Sequence, residues 1–382
     1  MFKVPVLNKT RIFSTNQISA HEMLLKAKNG FTLSNKNQRY AIPAFNVTTY
    51  QSIEAVMEAA ETLGSSALLA FSNSALKHFG RGNAIRGLEM VENFVKLVAK
   101  NSTVKVATHL DHGDYMSEEG RKVVAAAVHS LTSVMADNST HHESGTATSL
   151  SENIEATREV VMMAHPMGVS VEGELGVLAG VEDEDTQSEH STYTDPKELL
   201  QFLKETGVLM LAPTIGTMHG PNKGKPGSKV KLNINLAEEC LKIADSFNKD
   251  ILFVAHGAST LYSQVVDYAV ENLMALNQTK AAETWKNFVG TDWDQIQGLI
   301  KQGFCKINTD TENRQAYLAS WIGAIKNNAT KIDIRHYEKV TYKALVKCYQ
   351  MKLIMSGNVG VWHEPKISIS DFQFNLSAGN PS

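Results

Sequence analysis

The stretch V-K-V-A-T-H-L-D-H-G, residues 104–113, decides the fold prediction. Residues 104–108 have the composition of a short β-strand, and a glycine typical of turns ends the stretch. His109, Asp111 and His112 lie at the C-terminal end of this predicted strand. In barrels and doubly wound sheets, that end carries the catalytic residues. Taken alone, the stretch leaves two interpretations open: metal ligands around a carboxylate, or imidazoles hydrogen-bonded to the backbone.

Strands and helices alternate along the chain on both sides of this stretch. A helical pattern follows each predicted strand, and the strands are 40–47, 66–71, 104–108, 131–137, 169–175, 208–213, 251–255 and 304–308. This α/β alternation predicts a (β/α)8 TIM barrel. An open doubly wound sheet is the alternative, but the first strand lacks the G-x-G-x-x-G turn. We therefore predict an N-terminal extension with one helix over 1–38, a catalytic barrel over 39–326, and a helical, then polar, C-terminal tail over 327–382.

Composition narrows the classes of function. The formal charge of -3 gives no basic surface for nucleic acid. No run reaches the roughly 18 apolar residues that a membrane span needs. The three cysteines are widely separated, which predicts reduced thiols and a cytoplasmic protein. Organellar import is the alternative, because Lys3, Lys9 and Arg11 precede the first acidic residue, Glu22, in a weak transit-peptide pattern.

Three histidines follow three different predicted strands, whose ends meet at one mouth in a barrel. His112, His219 and His256 would give a zinc-like ion three nitrogen ligands and leave one position open, as catalytic zinc sites do. Imidazole suits zinc best among the abundant metals, although cobalt or iron would also fit.

Glycines next to two of these histidines allow backbone amides to approach an anion closely. A lysine and a serine follow in the same loops, and a threonine follows the last predicted strand. Together they predict a phosphate cradle, which consists of Gly220, Lys223, Gly257, Ser259 and Thr311.

The motifs resemble those of the class II, metal-dependent fructose-bisphosphate aldolases. The resemblance covers about residues 40–326. It rests on I-P-A-F-N-V (42–47), T-H-L-D-H-G (108–113), S-V-E-G-E-L-G (170–176), G-V-E-D (180–183), G-T-M-H-G (216–220), A-H-G-A-S (255–259) and K-I-N-T-D-T (306–311).

The resemblance implies a role for each matching residue. The three histidines would bind zinc, and Asp111 would act as acid and base on the C4 hydroxyl of the sugar. Glu182 would be the base on a mobile loop that takes a proton from dihydroxyacetone phosphate. The other matches are Asp137 and Glu174 for a second or alternative metal site, Asn308 and Asp310 for substrate hydroxyls, the cradle residues for phosphate and a neighbouring monovalent cation, and Asn46 and Ser72 for further positions in the mouth.

The implied activity is zinc-dependent, reversible cleavage of fructose 1,6-bisphosphate to dihydroxyacetone phosphate and glyceraldehyde 3-phosphate, a step of glycolysis and gluconeogenesis. The implied assembly is a homodimer or homotetramer without nucleic-acid or membrane partners. Aldolases of tagatose bisphosphate share the motifs and are the alternative. A zinc hydrolase would leave the phosphate cradle unexplained. A non-catalytic binding protein would not need Asp111 or Glu182. Met218, Ala258 and Thr260 depart from the usual family pattern beside the mouth.

Overall fold

Eight parallel strands close into a barrel in the computed structural model of the chain, which confirms the predicted (β/α)8 fold. The structure describes residues 4–33, 38–141, 144, 146–177, 180–182, 186–188, 192–221, 223 and 230–374. In chain order the strands are β1 (Ile42–Asn46), β2 (Ala67–Phe71), β3 (Val106–Gly113), β4 (Ser133–Ala136), β5 (Thr140–His141), β6 (Thr146–Ala147), β7 (Ser170–Leu175), β8 (Gly180–Glu182), β9 (Thr186–Ser188), β10 (Met210–Pro213), β11 (Leu252–Ala255) and β12 (Phe304–Thr309).

The order around the barrel is β1-β12-β11-β10-β7-β4-β3-β2, and β2 pairs back onto β1. Two antiparallel hairpins, β5-β6 and β8-β9, lie outside the barrel. The helices are α1 (Ala20–Lys28), α2 (Tyr50–Leu63), α3 (Asn73–Phe79), α4 (Ala84–Ala99), α5 (Glu118–Ser130), α6 (Leu150–Ala164), α7 (Pro196–Thr206), α8 (Ile234–Phe247), α9 (Ser263–Ala275), α10 (Thr279–Lys286), α11 (Trp293–Gln302), α12 (Thr311–Asn328) and α13 (Ile334–Met355). None of these helices is long and apolar enough to cross a membrane.

Local sequence explains where several helices begin. The Thr49 and Ser149 side chains accept hydrogen bonds from the third residue of α2 and α6, and each forms a reciprocal capping box. Successive side chains of a strand point alternately to the barrel interior and to the surrounding helices. On β7, Glu172 lies inside the barrel, whereas a Cβ added at Gly173 would lie 3.0 Å from the Phe202 ring of α7. On this strand a small residue therefore faces the helices and a carboxylate faces the interior, whereas other strands direct apolar side chains such as Leu68 and Met210 inward.

Two segments differ from the prediction. The predicted strand 104–108 continues to Gly113, because its pairing with β4 resumes there after a register irregularity that follows Leu110. This keeps Asp111 on the barrel wall and gives His112 a positive φ of 49°. Between β11 and β12 there are three helices rather than one, since α10 and α11 follow α9. The segment between α10 and α11, around Thr291, extends back toward the barrel mouth.

The segment before the first barrel strand packs against the barrel. The helix α1 is the one helix that the sequence predicts in this segment. Its Met23 and Leu24 are fully buried in a cluster with the interior residues Leu68 and Met210. Removal of this apolar surface from water stabilises the contact. Helix α1 therefore covers the end of the barrel opposite to the C-terminal strand ends.

The C-terminal helix α13 also packs on the barrel, against α2 and α12. Its Lys352 forms an ion pair with Glu312 of α12, at 2.7 Å between Nζ and Oε1, and both side chains are fully buried. A buried charge of this kind is stable only when it is paired. The domain boundaries at residues 38 and 326 stay predictions.

We expect Arg11→Ala to lower the free energy of unfolding by about 1–2 kcal/mol, because charged hydrogen bonds are lost. The Arg11 guanidinium donates to the carbonyls of Met167 at 2.7 Å and His129 at 3.1 Å, which anchors the N-terminal segment. Urea unfolding measures the change. Lys9→Ala is the control, since Lys9 makes an exposed ion pair with Asp250 and should change stability by less than about 0.5 kcal/mol. Equal midpoints for the two variants would contradict the anchoring role.

Candidate active site and metal centre

The three predicted histidines meet at the C-terminal mouth of the barrel. His112 lies on β3, His219 follows β10, and His256 directly follows β11. The ring centroids of His112 and His256 are 4.6 Å apart, and those of His112 and His219 are 5.1 Å apart. One ring nitrogen from each residue lies within 4.8 Å of the others. The burial of His219 and His256 lowers their pKa values, which favours the neutral imidazole that binds metals.

Two carboxylates adjoin this cluster. Asp137 accepts a hydrogen bond from His112 Nδ1 at 2.7 Å, and Glu174 Oε2 lies 3.4 Å from His256 Nδ1. His112, Asp137 and Glu174 form a second group whose ligand atoms lie within 4.8 Å of one another. His112 thus belongs to both groups.

Asp111 lies between two amide side chains. Asn46 donates to its Oδ2 at 2.7 Å, and Asn308 donates to its Oδ1 at 2.9 Å. Burial alone would raise the pKa of Asp111, but the positive charges of His112 and Lys306 outweigh it and hold the pKa well below its usual value. Asp111 is therefore a carboxylate whose oxygens face the donors of two different strands.

A cavity of about 430 Å³ opens beside these groups. Most of the predicted site residues line it, namely Asn46, Asp111, His112, His219, Gly220, Lys223, Gly257, Ser259, Asn308, Asp310 and Thr311. Ser72 lies elsewhere, at the start of α3, where its Oγ accepts a hydrogen bond from the Ala75 amide. The side chain of Glu182 lies outside the described residues, although the backbone of Glu182 pairs with Thr186 in the β8-β9 hairpin.

The predicted phosphate cradle is a hydrogen-bonded unit. Ser259 Oγ accepts from the backbone amides of Asp310 at 3.2 Å and Thr311 at 3.3 Å, which joins the loops after β11 and β12. The Lys223 ammonium donates to the Gly257 carbonyl and, at 3.3 Å, to Thr291 Oγ1. Burial lowers the pKa of Lys223 to about 7. Because it donates to the Gly257 carbonyl, Lys223 Nζ points at the backbone of the loop that follows His256.

Sequence reasoning missed two buried residues of the site. Glu172 accepts a hydrogen bond from His256 Nε2 at 2.8 Å, and Lys306 pairs with the same carboxylate at 2.8 Å. Strand alternation contains a signal for both, because Glu172 lies two residues before Glu174 and Lys306 lies two residues before Asn308. His109, the first histidine of the opening stretch, is hydrogen-bonded through Nδ1 to Ser133 Oγ at 2.8 Å.

Known proteins resemble this chain in sequence and in fold. The family model described as fructose-bisphosphate aldolase class-II matches residues 26–361. The fructose-bisphosphate aldolase of Helicobacter pylori is 33% identical over 346 residues, which cover 89% of this chain and 99% of that protein. That of Geobacillus stearothermophilus is 35% identical over 302 residues, with coverage of 78% and 83%. The crystal structure of the Campylobacter jejuni fructose-bisphosphate aldolase has a TM-score of 0.67 at 21% identity, covers 93% and 99% of the two chains, and supports the fold alone.

Proposed function

The chain belongs to the class II fructose-bisphosphate aldolase family, and from this premise we propose that its barrel mouth cleaves fructose 1,6-bisphosphate reversibly to dihydroxyacetone phosphate and glyceraldehyde 3-phosphate. The reaction makes it an aldehyde-lyase. The observation that carries the proposal is the meeting of three imidazoles beside a cavity that Asp111 and the residues of the predicted phosphate cradle line.

We assign zinc to the three nitrogens of His112, His219 and His256, with cobalt or iron as the other metals that this donor set suits. The donors fit such an ion, because His256 Nδ1 makes no hydrogen bond among the described residues and lies 3.4 Å from Oε2 of Glu174, a member of the second ligand group. A divalent metal bound there supplies Lewis acidity that stabilises negative charge on the carbonyl oxygen of the substrate. Asp137 and Glu174 are proposed for a second or alternative cation.

Asp111 is proposed as the general base for cleavage. Its carboxylate takes the proton of the C4 hydroxyl, and the C4 oxygen becomes the aldehyde oxygen of glyceraldehyde 3-phosphate. The C3–C4 bond breaks, and its electron pair passes to the dihydroxyacetone phosphate half. Glu182 is proposed to return a proton to C3 and to remove it in the condensation. Such proton transfers by positioned side chains typically contribute about 10²–10⁴-fold to a rate.

The remaining site residues are proposed to bind and orient the substrate. Amides and hydroxyls of the loops after β10, β11 and β12 would bind one phosphate, through Gly220, Gly257, Ser259 and Thr311. Lys223 would add positive charge to this cradle from beneath its backbone. Asn308 and Asp310 would contact sugar hydroxyls, and Asn46 would contact the substrate further along the mouth. Ser72, predicted for the same role, does not line the cavity and caps α3.

We also propose a cytoplasmic location and a homodimer or homotetramer. The three cysteines Cys240, Cys305 and Cys348 are buried and unbridged, which suits a reducing compartment.

We expect the purified protein to release triose phosphates from fructose 1,6-bisphosphate in a coupled assay. Dialysis against EDTA should abolish this activity and added zinc should restore it, whereas borohydride should have no effect, because no Schiff base forms. Activity that survives chelation and is destroyed by borohydride would refute the metal mechanism. Tagatose 1,6-bisphosphate is assayed in parallel, and a higher kcat/KM for that sugar would reassign the substrate but keep the reaction.

A further inference from the structure

A buried ion pair, formed by Glu172 and Lys306, contacts the Nε2 side of the His256 ring. Glu172 Oε1 is 2.8 Å from His256 Nε2, and Glu172 Oε2 is 2.8 Å from Lys306 Nζ. Both members of the pair are fully buried, and His256 is 1% exposed. Three barrel strands contribute to this contact, since Glu172 belongs to β7, Lys306 to β12, and His256 follows β11. None of the roles proposed above uses Glu172 or Lys306.

The hydrogen bond to Glu172 determines which nitrogen of His256 carries the proton. A carboxylate paired with an ammonium can only accept, so the neutral ring must donate from Nε2. Nδ1 then carries the lone pair. The Asn308 amide also approaches Nε2, at 3.3 Å, but the same amide nitrogen donates to Asp111 at the shorter distance of 2.9 Å. The carboxylate at 2.8 Å is therefore the stronger partner of Nε2.

Lys306 holds the Glu172 carboxylate as the hydrogen-bond acceptor for His256 Nε2. Its ammonium has only donors, so His109 Nε2, at 3.2 Å, must accept from it. His109 Nδ1 then donates to Ser133 Oγ, and the Ser133 hydroxyl donates to the Thr108 carbonyl at 3.2 Å. One ammonium proton of Lys306 forms the hydrogen bond to His109 Nε2, and a second one points at Glu172 Oε2. Two protons of the Lys306 ammonium thus have partners, His109 Nε2 and Glu172 Oε2, and Glu172 Oε1 stays oriented toward His256.

We propose that Glu172 and Lys306 are positioning residues that hold His256 as its Nε2–H tautomer, so that Nδ1 is presented to the metal. This inference rests on the proposed metal centre. Partners that fix the tautomer and orientation of a metal-binding imidazole typically contribute about 10–100-fold to metal affinity. The ion pair would therefore act on the metal site without touching metal or substrate.

The tautomer can be measured in the wild-type protein without metal. With 15N-labelled histidine, NMR at a pH where the ring is neutral should show His256 protonated at Nε2. The His256→Asn variant assigns the signal. A His256 ring protonated at Nδ1 would overturn the inference, and this measurement does not depend on whether any variant of Glu172 folds.

Glu172→Gln tests the direction of the hydrogen bond. Lys306 requires an acceptor, so the glutamine carbonyl should turn to Lys306 and its amide NH₂ to His256 Nε2. His256 should then carry its proton on Nδ1, and the zinc affinity of the apoprotein, measured by competition with a chelator, should fall about 10–100-fold. The 15N spectrum should report the changed tautomer.

Glu172→Gln/Lys306→Met separates this mechanism from general damage to the core. Without the ammonium, the glutamine carbonyl can accept from His256 Nε2, so zinc affinity should recover above that of the single variant. If Glu172→Gln acted only by damaging the core, the second substitution should lower zinc affinity further. Glu312→Gln is the matched control, because Glu312 is a fully buried glutamate paired with a fully buried lysine, Lys352, at 2.7 Å. It should leave zinc affinity unchanged.

The outcomes distinguish the inference from the function on which it rests. A wild-type protein that binds no zinc would refute the proposed metal centre. Tight wild-type binding that Glu172→Gln leaves unchanged would refute only the role of Glu172. A double variant no tighter than the single one would refute the role of Lys306.

Discussion

Asp111→Asn should lower kcat for sugar-bisphosphate cleavage by about 10²–10⁴-fold, the usual contribution of a positioned general base. Asparagine has nearly the same shape but does not take up the hydroxyl proton. In the wild type, Asn46 and Asn308 hold the two oxygens of Asp111 at 2.7 and 2.9 Å. The asparagine carbonyl can keep only one of these contacts. Steady-state kinetics measure kcat, and metal analysis should still find zinc, because the three histidines are intact.

Asp114→Asn is the matched control for this prediction. Asp114 lies three residues further along, where its Oδ1 accepts from the amides of Met116 at 2.9 Å and Ser117 at 3.1 Å. Asparagine retains that acceptor, so kcat should stay near the wild-type value. If Asp111→Asn turned over at the wild-type rate, Asp111 would not be the base. If the variant lost its zinc, the residue would act through the metal site instead.

His256→Ala should lose both metal and activity. The substitution removes one of three nitrogens that lie within 4.8 Å of one another. It also removes the hydrogen-bond partner of Glu172 Oε1, while Lys306 stays paired with Oε2. Loss of a supporting contact alone costs about 10–100-fold in metal affinity, so loss of the ligand should cost more than about 100-fold. Chelator competition measures the affinity, and the coupled assay should show a parallel fall in turnover.

His165→Ala provides the comparison for His256→Ala. His165 is also buried, at 1% exposure, but its Nδ1 lies 3.1 Å from the Pro5 carbonyl, away from the barrel mouth. The variant should lose stability and keep its zinc. Stoichiometric zinc in His256→Ala would remove His256 from the ligand set.

The sequence by itself determined the barrel and most of the residues at its mouth. Strand and helix patterns repeat locally, and parallel strands of a barrel bring their C-terminal ends together whatever their exact register. For this reason His112, His219 and His256 could be predicted to meet, although His256 lies over a hundred residues from His112. The phosphate cradle followed in the same way, since Ser259 and Thr311 also follow strand ends.

Only the tertiary structure decided what each polar group contacts. The Glu172–Lys306 pair joins residues 134 positions apart, and it depends on the register and order of β7, β11 and β12. The direction of the Lys223 ammonium depends on its contact with Thr291, which lies in the segment between α10 and α11. Local patterns carry no information on such contacts, because they arise from closure of the barrel. The sequence therefore specified which side chains reach the mouth, and the closed barrel specified which nitrogen of His256 contacts Glu172.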